Sequence, residues 1–144
     1  MKNSECAALR VMSRESKNNP PIDPMTILNE HHDLSRQNYN RVLYKTNTKF
    51  SRRRNIEQVI FFVNSETAYS VDVAAVGVSG ETEVPAGFYT TKSWEEQESK
   101  SWLALDGEWL LIDPSKYRLD SNPKKSLVQT FTGSQVPRIY VHEV

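Results

Sequence analysis

TKFSRRRNIEQVIFFVNS, residues 48–65, is where the chain changes character. Arg52, Arg53 and Arg54 run within a few residues into Val59, Ile60, Phe61, Phe62 and Val63. A β-branched and aromatic run of this kind reads as a strand. The arginines before it read either as a working surface or as a solvated hinge. The charges divide at the same point: residues 1–54 hold eleven Lys/Arg and five Asp/Glu, and residues 55–144 hold seven and thirteen. A formal net charge of zero therefore hides a basic first part and an acidic second part, which suggests an arm and a body with different partners.

Upstream, residues 1–21 are polar and short of large apolar groups. They offer little burial against the entropy of ordering, so they are expected to form a flexible N-terminal arm. Met12, opening MSRESKN, reads equally as a start position. Residues 22–54 are expected as a helical and basic segment that forms one domain with a β-rich body at 55–144. Asp23 followed by Pro24 is a helix start, because Asp accepts from free N–H groups and Pro at the first position loses no needed donor. Ile27, Leu28 and Leu34, with Met25 nearby, give a partial apolar stripe, which predicts a helix over about 24–37. A turn-rich piece is expected around NYNRVLY.

Downstream, AYSVDVAAVGV, GFYTT, SLVQTF and RIYVHEV read as further strands, punctuated by Gly77, Gly80, Pro85 and Gly87. In SWLALDGEWLLI, Asp106-Gly107 suits a two-residue hairpin turn, which would set Leu103 opposite Leu110 and Trp102 opposite Leu111. Both faces of that hairpin are apolar, so both should be covered, or one should line a pocket. Six or seven strands in about 90 residues predict a mostly β (α+β) protein, a small β-barrel or sandwich with an N-terminal helix and a flexible arm.

Cys6 is the only cysteine, so no intramolecular disulfide can form. No segment approaches the roughly 18 consecutive apolar residues of a membrane span, and an intracellular, soluble protein with no membrane partner is expected. His31 and His32 are adjacent and point about 100° apart on a helix, so they do not converge on a metal; exposed polar histidines are the expectation. Cys6 falls in the arm, where nothing lowers its pKa. Glu95, Glu96 and Glu98 read as a solvated acidic loop. No phosphate-binding glycine motif and no nucleophile elbow is present. No catalytic residue, metal or cofactor is expected.

The segment RVLYKTNTKFSRRR interleaves Tyr44 and Phe50 with Arg41, Lys45, Lys49, Arg52, Arg53 and Arg54. Cations of this kind contact phosphates, and aromatic faces stack on bases. Tyr89, Trp94, Trp102 and Trp109 read as walls of a pocket for a flat ring or as the core of a small barrel. Over residues 41–112, QVIFFVN, SETAY and VAAV resemble the opening of PUA-like small β-barrels of the EVE, ASCH and YTH type. That resemblance implies a nucleic-acid module holding a modified or flipped base in an aromatic cage. The expected function is a non-enzymatic nucleic-acid-binding module, for DNA or RNA, with the six cations on phosphates and Tyr89, Trp94 and Trp102 at a base. The alternative is a small regulatory protein-interaction module, a phage or host factor, docking through its acidic β body.

Overall fold

The computed structural model describes residues 4–11, 14–16, 19–50, 54–95, 98–134 and 136–144. Its elements in chain order begin with β1 (Ser4–Arg10), a small pair β2 (Arg14–Ser16) and β3 (Asn19–Ile22), and helix α1 (Pro24–Gln37). Then come β4 (Arg41–Thr46), β5 (Asn55–Asn64), β6 (Thr67–Val78), β7 (Ser101–Asp106) and β8 (Leu110–Ile112). The chain closes with β9 (Tyr117–Leu119), helix α2 (Leu127–Gly133) and β10 (Arg138–Glu143).

The main sheet runs β4-β7-β6-β5-β1-β10-β9, with β8 beside β6. The protein is therefore mostly β, as expected, with an α+β arrangement. Among the described residues β4 and β9 are the two ends of the path rather than a closing pair.

The run VIFFV is apolar throughout because both faces of β5 are covered, the pattern of a fully buried strand. Val59 and Phe61 join the larger core with Ile27 and Leu28 of α1. Ile60 and Phe62 join a second core with Leu127 and Phe131 of α2. Successive residues on a strand alternate faces, so each of the two helices takes its own set. Across the strands, Arg138, Leu9, Phe61, Tyr69 and Leu111 form one row on the α1 face. Tyr140, Ala7, Val59 and Val71 form the next row.

The expected flexible arm is corrected at Ser4–Arg10. β1 lies inside the sheet, parallel to β5 and antiparallel to β10, with Ala7, Ala8 and Leu9 buried. Its small residues carry little strand propensity; two flanking strands supply the hydrogen bonds that hold it. Arg10 continues the tie by donating to the carbonyls of Phe131 and Ser134, at 3.0 and 2.6 Å, where α2 ends and needs donors.

Helix α1 follows its expected bounds. Asp23 accepts from Thr26 N at 3.0 Å and from the Thr26 hydroxyl at 2.8 Å, which holds its carboxyl below the ordinary range. The turn-rich piece expected at NYNRVLY is mostly β4. GFYTT forms no strand. SLVQTF is helix α2, opened by a capping box in which Gln129 N donates to Ser126 Oγ at 3.0 Å.

The expected 103–110 hairpin is also corrected. β7 and β8 pair not with each other but successively with β6: Val73 faces Leu105, and Ser70 faces Leu110. The four residues Asp106–Trp109 pass only Val71 and Asp72 on the partner, so the chain bulges between the two strands. Gly107, at φ 153°, sits in that bulge, and Trp109 is carried into the core. There its indole stacks on Phe61 (5.2 Å, 12°) and on His32 (5.4 Å, 15°).

Candidate nucleic-acid interface

The segment after β4 is not a free tether. Phe50 packs against the larger core, and the Lys49 carbonyl accepts a hydrogen bond from the guanidinium of Arg138 on β10. Where the chain enters β5, Arg54 donates to Glu5 Oε1 at 2.7 Å, and its guanidinium lies 4.1 Å from the centre of the Tyr140 ring. Arg138 lies 5.2 Å from the same ring. Alternation along β10 sets Arg138, Tyr140 and His142 on one face of that strand. The strand pairing then brings this face beside β1 and the start of β5.

Two guanidinium groups on one phenol ring are favourable cation–π contacts. Stacking keeps the planar edges of the guanidinium groups clear of the ring, the geometry that suits phosphate; Arg54 gives one N–H to Glu5 and Arg138 one to the Lys49 carbonyl. The Tyr140 hydroxyl is buried with no hydrogen-bond partner among the described residues. A cavity of about 410 Å³ adjoins it, lined by Arg54, Asp120, Ser121, Ile139 and Tyr140. Asp120 accepts from His142 Nδ1 at 2.7 Å, so its charge is partly answered. Arg54 also borders a cavity of about 500 Å³ where β5 and β6 diverge, walled by Phe50, Ile56 and the small residues Ala74, Ala75 and Gly77.

The six expected cations do not share one surface. Arg54 belongs to the Tyr140 cluster, Lys49 meets it through its carbonyl, and Arg52 and Arg53 lie outside the described residues. Arg41 faces Asp106 at 3.6 Å and lies 5.9 Å from the Phe88 ring. Lys45 donates to the carbonyls of Trp94 and Glu95, at 3.0 and 3.1 Å, fastening the loop after β6.

The three expected base-contacting rings do not converge. Trp94 is buried in the larger core, within 6.2 Å of the His31 ring. Trp102 is buried in a separate cluster with Leu43 and Ala104, and Tyr89 is 61% exposed. The two tryptophans are thus packing residues in different clusters, and Tyr89 keeps its ring exposed while its carbonyl accepts from Leu43 N at 2.9 Å. Trp102 does form one wall of a groove of about 550 Å³ with Lys45, Glu95 and Glu98; Glu96 lies outside the described residues.

The histidines differ from expectation as well. His31 is buried, with Nδ1 donating to the Ile27 carbonyl at 2.7 Å. Among the described residues no group of three His, Cys, Asp or Glu side chains is placed to hold a metal, and no helix is long and apolar enough to cross a membrane. Cys6 sits in β1; burial first, and then the charge of Asp120, push its thiol up to about 12.

Arg138 and Tyr140 escaped the sequence reading because they lie more than eighty residues from Arg54. Their alternation in RIYVHEV was the available signal. Comparison with family models, with curated proteins and with solved structures gives no match.

Proposed function

We propose that the protein is a nucleic-acid-binding module whose contact surface is the Arg54–Tyr140–Arg138 cluster. The observation that carries this reading is the gathering of two guanidinium groups, from segments far apart in sequence, on one tyrosine ring. Lys49 adds a cation from the same loop, and Arg52 and Arg53 adjoin it in sequence. Phosphates bind the arginine edges, and an unpaired base beside them has the cavity at Tyr140 to enter. The resemblance to PUA-like barrels points the same way. Arg41 and Lys45 are left out of the contact surface, since neither lies at the Tyr140 ring: Arg41 faces Asp106 and the Phe88 ring, and Lys45 fastens the loop after β6.

The test is the salt dependence of binding to fluorescent single- and double-stranded oligonucleotides. Each neutralised phosphate contributes about 0.7–0.9 to the slope of log K against log salt concentration. Arg54→Gln and Arg138→Gln are each expected to reduce that slope by about one contact's worth, across sequences alike, whereas Arg41→Gln leaves it unchanged. No binding at low salt, or equal effects from all three variants, overturns the proposal.

A further inference from the structure

The sheet has an open step beside β8. β7 and β8 follow one another along the same side of β6, but only β7 is covered on its outer side, by β4. Among the described residues no strand pairs with the outer side of β8. A chain running back from Arg41 in extended form would have covered it. Instead the backbone turns at Tyr39 and Asn40, both at positive φ (57° and 63°). The Asn40 carbonyl accepts from Gly107 N at 2.9 Å, so the turn stops short of β8. Positive φ is costly for a bulky residue, and Tyr39 is 89% exposed, so packing does not offset that cost.

Edge strands are usually blunted by lysine, proline or a bulge, because their outward N–H and C=O groups template further pairing. Leu110–Ile112 is short, three residues, but it carries neither lysine nor proline, and the bulge at Asp106–Trp109 lies before it rather than in it. Leu110 is 55% and Leu111 67% exposed, on opposite faces of the strand. The flanks are acidic: Glu108 on one side, Asp113 on the other. A second copy of β8, paired antiparallel about Leu110 and Leu111, would set Glu108 opposite Asp113 twice, and like charges directly opposite destabilise a sheet. The same acids favour Lys or Arg at those positions. We infer that β8 accepts an extended peptide segment of a protein partner by strand addition, apolar at its centre and carrying Lys or Arg on both sides.

The probe is a synthetic peptide with a core of alternating valine and threonine between paired lysines. Its comparators are the same core between paired glutamates, and a lysine-flanked core interrupted by proline. The lysine-flanked peptide is expected to bind the full chain, to slow hydrogen exchange at the Leu110–Ile112 amides, and to weaken with salt. The glutamate-flanked peptide should bind about tenfold or more weakly, since like-charge juxtaposition is costly. The proline-interrupted peptide should not bind, having lost its strand donors. Leu111→Lys should abolish binding with an unchanged melting curve. Glu108→Lys, on an exposed residue, should narrow the preference between lysine and glutamate flanks. The inference is overturned by absence of binding, by equal binding of all three peptides, or by protection elsewhere with β8 unaffected. Sedimentation showing a dimer that Leu111→Lys dissolves would also overturn it, by naming a second copy as the occupant.

Discussion

Gly77 lies directly beneath the indole of Trp102: the two residues face each other across β6 and β7, and a Cβ on Gly77 would come within 2.0 Å of the ring. The missing side chain is what allows Trp102 to lie flat on the sheet, an aromatic covering a glycine across the strands. Gly77→Ala is therefore expected to destabilise by about 1–3 kcal/mol, as forced overpacking does. Gly133→Ala, at the end of α2 with nothing within 4 Å of its added carbon, should be neutral or stabilise by up to about 1 kcal/mol. Denaturant melts of the two variants check the contrast; equal effects would contradict it.

The stack of Phe61, Trp109 and His32 joins the sheet to α1 through the bulge between β7 and β8. Trp109→Ala should cost about 3–5 kcal/mol, the usual range for removing a buried large aromatic. Tyr89→Ala, on an exposed ring, should stay within about 0.5 kcal/mol. A small loss at Trp109 would mean that the stack is not a core element.

Deleting residues 1–11 removes β1 and separates β5 from β10. Loss of cooperative unfolding is the expected result, measured by calorimetry. Cys6 supplies a second readout in the intact chain. With its thiol pushed up to about 12, Cys6 should stay inert to thiol reagents at neutral pH and react when β1 detaches. Rapid labelling of the native protein, or a truncated chain that melts cooperatively, would place β1 outside the folded unit.

Burial, followed by the charge of Arg36, holds the His32 imidazole below its ordinary value of 6.5. The unfolded chain therefore binds this proton more tightly than the folded one. Its contribution to stability is complete above pH 6.5 and declines as the pH falls through that value toward the folded one. His32→Phe keeps a ring against Trp109 and removes the titration. The drop in denaturation midpoint between about pH 7.5 and about pH 5 should be smaller in the variant than in the wild type. An equal drop would assign the pH dependence to other groups.

Local chemistry was legible in the sequence, and pairing was not. The Asp23-Pro24 start, the strands at 58–64 and 138–143, and the double-sided apolar run after Ser101 follow from caps and alternation. The hairpin failed because alternation in two successive apolar runs does not say whether they pair with each other or with a third strand. Ser126 and Gln129 carried a capping-box signal that a short apolar run obscured. β1 was hidden because alanines become a strand only between neighbours. Of the candidate interface, Lys49 and Arg54 were visible as a basic run, while Arg138 and Tyr140 join them only through the pairing of β10 with β1.

That same pairing sets an order of events during translation. Cys6 faces Val141, so β1 is synthesised well before β10, the strand that covers its outer edge. Until then a central strand stands open on one side, a vulnerable state for a nascent chain. Tyr140, and with it the platform for both guanidinium groups, arrives in the same late step. The surface proposed to hold nucleic acid thus comes into being only when the two ends of the sheet's sequence have met, and a half-made chain would carry its arginines without a place to put them.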